Sequence, residues 1–140
     1  MKIIAKEFEM KDMGESRYIV GLELDYNSQG IILHQQGYVA QALKKFGQEQ
    51  AKTPTTPLEI RSIEPNQDIY GPRREGEELL SSQYSYLELI GTLNYAAKQT
   101  RPDISFALSL LARSNHQPTL RHWNAAIRVL RYLKRTKDFG

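Results

Sequence analysis

An α+β fold, with an N-terminal β-hairpin and helix followed by a three-helix C-terminal lobe, is what three features of this 140-residue chain predict. Tyr18, Val20, Leu22, Leu24 and Tyr26 recur at every second position, the period of a strand with one buried face. Turn-forming Asn27-Ser28-Gln29-Gly30 then precedes the β-rich run Ile31-Ile32-Leu33-His34, which completes an antiparallel hairpin. Beyond Gln35 the apolar spacing becomes that of helices, first once and then, after a long interruption, three times in succession.

The first helix presents Tyr38, Val39, Ala42, Leu43 and Phe46 on one face, and Gly47 is placed to end it as a C-cap. Residues 48–80 follow without periodicity, punctuated by Pro54, Pro57, Pro65 and Pro72. A structureless stretch of that length inside one domain is uncommon, so the expected division is 1–47, a linker over 48–80, and a helical lobe over 81–140. In the lobe's first helix, Tyr86 or Leu87, Ile90, Leu93, Asn94 and Ala97 form the inward face, and Gly91 leaves room for a second backbone. Thr100 reads as the N-cap of the next helix, with Pro102 in its first turn and Ile104, Ala107, Leu108 and Leu111 facing inward. Gln117-Pro118-Thr119 opens the last helix, whose inward face is Trp123, Ala126, Ile127, Leu130 and Leu133.

Charge is distributed unevenly. The formal net charge is only +3, yet from Ile104 to Lys137 there is no Asp or Glu, while Arg113, Arg121, Arg128, Arg131, Lys134, Arg135 and Lys137 are all cationic. At about 100° per residue, Arg121, Arg128 and Arg135 line the side of the last helix opposite its apolar face. A solvated helix ordinarily mixes signs and gains from i,i+4 pairs, which are missing here. The pattern points to a polyanionic partner, most simply a nucleic-acid backbone; the plain alternative is a solvated face.

Other chemistry is sparse. With no cysteine there is no disulfide, thiolate metal site or cysteine nucleophile, which fits an intracellular chain. Met1–Glu7 is too short and charged for a signal peptide, and no apolar run approaches a membrane span. His34, His116 and His122 are not spaced as metal ligands on a helix face and read as structural or surface groups, and Glu77-Glu78 carry no catalytic context. Neither a phosphate-binding glycine loop nor a nucleophile elbow is present.

Several blocks, in order and spacing, carry a family resemblance. Phe8-Glu9-Met10-Lys11-Asp12-Met13-Gly14-Glu15, Tyr18-Ile19-Val20-Gly21-Leu22-Glu23-Leu24, the helix from Gln35 to Gly47, Thr56-Pro57-Leu58, Tyr86-Leu87-Glu88-Leu89-Ile90-Gly91-Thr92-Leu93-Asn94-Tyr95, Thr100-Arg101-Pro102-Asp103-Ile104, His122-Trp123 and Leu130-Arg131-Tyr132-Leu133-Lys134 resemble the reverse transcriptase of copia-type retrotransposons. The likeness runs along nearly the whole chain, departing at Arg135, where the family commonly has Gly, and at Met13, commonly Leu. It implies the part of the polymerase after the catalytic palm motif: the palm's last hairpin, acting as a primer grip, then the helical thumb, ahead of an RNase H domain.

By that resemblance the chain is no enzyme on its own, because the paired aspartates that hold two magnesium ions lie outside it, and no cofactor is expected in the chain itself. Its expected partners are an RNA–DNA or DNA duplex and the missing palm and RNase H parts, with no membrane. The expected nucleic-acid contacts are Arg121, Arg128, Arg131, Lys134 and Arg135, with Arg101, for which helix-start chemistry or pairing with Asp103 is the alternative. Gly21 is expected to admit a primer backbone, or else to mark a bulge. Without the palm the hairpin's apolar face is exposed, so self-association is a further expectation. Two other readings stay open: a polymerase whose palm lies in sequence outside this chain, and a remnant that serves as a protein-interaction module.

Overall fold

The computed structural model describes residues 14–60, 64 and 67–139. The Phe8–Met13 part of the resemblance lies outside them. The order is β1 (Tyr18–Ile19), β2 (Leu22–Asn27), β3 (Gly30–His34), α1 (Gln36–Lys45), α2 (Tyr86–Gln99), a 3-10 turn (Pro102–Ile104), α3 (Ser105–Ala112) and α4 (Leu120–Arg135). The α+β class is as expected, but the sheet has three antiparallel strands in the order β1-β2-β3.

The extra strand arises because Tyr18–Tyr26 is not one strand. Ile19 pairs with Leu22, so Val20-Gly21 forms a two-residue hairpin loop. Both residues have positive φ, 50° and 77°, as a primed turn between twisted strands requires. At the next turn Asn27 pairs with Gly30, and the Asn27 Oδ1 accepts the Gln29 N–H at 2.8 Å. Alternation and register put Ile19, Leu22, Leu24, Tyr26, Ile31 and Leu33 on one face of the sheet.

The sheet's other face is joined to α1. Glu23 and His34 are cross-strand partners, and a Glu23 carboxylate oxygen accepts the Gly37 N–H at 2.6 Å, where the helix N-terminus carries free donors. A Cβ on Gly37 would meet that oxygen at 2.9 Å, so a glycine is what lets the carboxylate reach the backbone. The helix ends as expected at Gly47, φ 63°: Gln48 N–H reaches Leu43 O and Gly47 N–H reaches Lys44 O, the paired bonds of a Schellman motif.

α1, α2, α3 and α4 share one core. Val39, Ala42 and Leu43 of α1 join Leu89, Leu93, Leu108, Leu111, Leu130 and Leu133 in a single cluster, so α1 packs with the later helices. Tyr38 stacks against Tyr95 with ring centroids 4.9 Å apart, and Lys45 pairs with Glu88 at 2.6 Å, which runs α1 antiparallel to α2. Trp123 sits between Phe46 and Tyr84. Leu87 of α2 is exposed and Leu89 and Ala96 are buried instead.

Two helix-level expectations change. Thr100 does not cap α3; it closes α2, and its hydroxyl donates to the Gln35 Oε1 at 2.9 Å. Arg101 takes the N-cap position before the Pro102 turn. A Cβ on Gly91 would meet nothing within 4 Å, so no second backbone approaches it.

Candidate nucleic-acid interface

α4 buries His122, Ala125, Ala126, Ile127, Val129, Leu130 and Leu133, a wider stripe than the sequence suggested. The reason is that its basic side is covered as well. The described residues between 48 and 77 run back along α4 from its C-terminal to its N-terminal end, and four of its basic residues take hold of them. Lys134 donates to the carbonyls of Glu49 and Ala51, and Arg131 Nε to Gln48 Oε1 at 2.8 Å. Arg128 reaches Thr56 Oγ1 and Glu59 Oε1, both at 3.2 Å.

Arg121 is the firmest of these. Its Nε and Nη2 grip both oxygens of Glu77, at 3.1 and 2.9 Å, and its Nη atoms also donate to the carbonyls of Asp68, Ile69, Gly71 and Pro72. With the Arg121 side chain only 14% exposed, this is a nearly dry bidentate pair. The Arg121 hydrogen bonds hold the Glu77 carboxyl down at about 2, with Arg74 and Thr119 adding to the effect against a smaller opposing effect of burial.

The expected contact residues therefore separate. Arg121, Arg128, Arg131 and Lys134 hold the chain's own strap, and only Arg135 of that row stands exposed with no partner among the described residues. Arg101 is buried: it forms a fork with Asp103 at 3.0 and 2.7 Å and donates to the Thr136 carbonyl and hydroxyl, between the rings of Tyr132 and Phe139. Burial raises the Asp103 carboxyl, but the Arg101 and Tyr132 hydrogen bonds outweigh it and leave it below the usual range. Arg101 offers no face to a duplex; its role is the pairing with Asp103 that the sequence left as the alternative. Gly21 makes room for Tyr95, whose hydroxyl donates to Val20 O at 2.6 Å and would lie 2.7 Å from a Cβ on Gly21.

The histidines with described partners are structural. His122 Nδ1 accepts the Thr119 N–H at 3.1 Å in a capping box at the start of α4. Its Nε2 then carries the proton and donates to Gly71 O at 2.9 Å, with Ser114 Oγ 3.1 Å away. A nitrogen that already holds its proton is no base for Ser114, so this buried Ser–His pair is no nucleophile. Burial lowers the His122 pKa and keeps it neutral. His34 Nε2 faces Asp25 Oδ2 at 3.0 Å across the β2–β3 ladder. Among the described residues no three His, Cys, Asp or Glu side chains converge as metal ligands. No helix among them is long and apolar enough to cross a membrane.

Between the strap and α4 lies a half-open cleft of about 400 Å³, bounded by Lys52, Thr53, Glu59, Asn124, Arg128 and Arg131. Asn124, Arg128 and Arg131 stand at i, i+4 and i+7 on one helix face, a spacing visible in the sequence. Lys52 carries no such signal, since only the course of the strap brings it there.

No family model matches the chain, and no solved structure matches it. Among curated proteins it is 33% identical over 137 residues, 98% of its length, to the retrovirus-related Pol polyprotein from transposon RE2 of Arabidopsis thaliana. It is 31% identical over 135 residues, 95% of its length, to that from transposon TNT 1-94 of Nicotiana tabacum. An uncharacterized mitochondrial protein of Arabidopsis thaliana is 30% identical over 141 residues, with the chain spanning 53% of its length. The chain spans about a tenth of the Pol polyproteins it matches, 9% and 10%. Over nearly its whole length, then, this chain is related to retrotransposon Pol polyproteins.

Proposed function

We propose that the chain is the primer-grip and thumb part of a copia-type reverse transcriptase, holding a primer–template duplex through its phosphates while the catalytic carboxylates lie elsewhere in the polyprotein. One observation carries this reading: the cations of α4 are neutralised only in part by the strap. Among the described residues, only Arg121 and Arg128 of the seven between positions 104 and 137 meet a carboxylate. Arg131 and Lys134 meet neutral oxygens, and Arg135 meets none. A positive field therefore persists on that side of the molecule, suited to a backbone that must slide rather than be read base by base.

The test is anisotropy binding of an RNA–DNA hybrid across a salt series. Log affinity should fall steeply with log salt, and Arg135→Ala should weaken binding and take about one contact from the slope. Absent or salt-insensitive binding would overturn the reading.

A second reading rests on the sheet. Ile19, Tyr26, Ile31 and Leu33 share one face and are each more than 40% exposed, which suits a protein-interaction module: a surface for the missing palm or for a second copy of the chain. Full activity as an RNA-directed DNA polymerase would belong to the polyprotein and require that palm and its magnesium ions.

A further inference from the structure

We infer that the cleft between Lys52 and α4 is a phosphate site, seated on Lys52, Arg128 and Arg131, in which Glu59 acts as the internal placeholder. The inference rests on the nucleic-acid reading above and gives it an address.

Donor capacity is the first argument. A guanidinium has five N–H donors. Arg128 uses its two Nη atoms on Glu59 and Thr56 at 3.2 Å each, while its Nε is buried with no acceptor. Arg131 uses only Nε, on Gln48, and Lys52 has no partner among the described residues. Three cations with unspent donors thus border one cleft, together with the Asn124 carboxamide and the Thr53 hydroxyl. Arg121 differs: its nitrogens are all committed, so it anchors the strap and leaves the cleft free to bind.

Charge is the second. Three cations against the single carboxylate of Glu59 leave an excess of two positive charges around the cleft. Glu59 is held by one Arg128 contact and is 56% exposed, so an incoming phosphate displaces it at little cost. The cleft, about 400 Å³, also exceeds what one carboxylate fills and accommodates a phosphate with its sugar. The same chemistry would serve a backbone phosphodiester or a free phosphate.

The experiment follows the arginine Nε–Hε NMR signals while the whole chain is titrated, in parallel, with inorganic phosphate and with a short RNA–DNA hybrid. The variants are Lys52→Gln, Glu59→Gln and, as a control of equal charge change outside the cleft, Arg113→Gln. Lys52, Glu59 and Arg113 are exposed, so these changes spare the core. The expected result is saturable movement of the Arg128 and Arg131 signals with the hybrid, weakened about fivefold or more by Lys52→Gln, tightened about threefold by Glu59→Gln and little changed by Arg113→Gln. Movement with phosphate, together with no binding of the hybrid anywhere on the chain, would keep the site for a free phosphate and overturn the nucleic-acid reading. Hybrid binding that leaves both signals still, or that Lys52→Gln and Arg113→Gln weaken equally, would overturn the site and leave the wider reading standing. No movement with either probe overturns the site.

Discussion

Arg121 and Arg135, two members of one heptad row, have opposite surroundings. Arg121 is gripped by Glu77 and four carbonyls, so Arg121→Ala should cost about 3–5 kcal/mol by leaving a carboxylate and carbonyls without their donor. Arg135→Ala should fall within about 0.5 kcal/mol of wild type. Urea unfolding of both variants checks this, and equal stabilities would mean that the strap is not held by Arg121. Val20 and Gly21 give a second contrast. Val20 is the only non-glycine at positive φ among the described residues and is β-branched, the least tolerant kind of side chain there. Val20→Gly should stabilise by about 1 kcal/mol, whereas Gly21→Ala, at φ 77° and facing the Tyr95 hydroxyl, should destabilise by about 2 kcal/mol. Destabilisation by Val20→Gly would show that the turn is held by something other than its backbone geometry. From the sequence Gly21 read as a strand glycine that admits a primer backbone or marks a bulge; the structure puts it in a hairpin turn beside Tyr95, 74 residues away in the chain.

At the scale of elements, the start of α4 and the strap over it form one acid-sensitive unit. His122 has a lowered pKa, so the unfolded chain, near 6.5, binds a proton more readily than the folded one. Stability is therefore complete above about pH 6.5 and begins to fall as the pH drops below it. Glu77, held at about 2 against an ordinary 4.5, adds stability that is present above 4.5 and lost as the pH falls towards 2. Two successive acid losses should thus appear in unfolding free energies measured from pH 7 to pH 2. His122→Gln should flatten the first and Glu77→Gln the second. An unchanged profile in both variants would count against the network. Helix positions on α3 and α4 were legible because 3.6-residue spacing is a local property. The Thr100 cap was misplaced: Thr100 closes α2 with its hydroxyl on Gln35, and the Pro102 turn begins after Arg101, whose guanidinium is held by Thr136 from the far end of the chain.

At the scale of the whole molecule, one apolar sheet face is left largely exposed while the helices close their core. Light scattering should show a weight-average mass rising with concentration, and Ile19→Lys with Ile31→Lys should return it to that of a monomer. A wild-type chain that stays monomeric at high concentration would remove a second copy as the occupant of that face. The basic side of α4 keeps an excess of positive charge, so salt should affect nucleic-acid binding strongly and this self-association weakly.

The sequence by itself determined the α+β class, the β2–β3 turn, the four helices with the greater part of their inward residues, the Gly47 cap and the concentration of cations late in the chain. These depend on periodicity, turn chemistry and composition, all of which act over a few residues. Only the tertiary structure decided which cations are spoken for. The stretch 48–80 has no periodicity from which to foresee its course, yet carbonyls from it and the carboxylates of Glu59 and Glu77 lie along α4 and take up Arg121 fully, Arg128 and Arg131 partly and Arg135 not at all. A charge shows in a sequence wherever it stands, but the partner that neutralises it is fixed by packing between segments far apart in the chain.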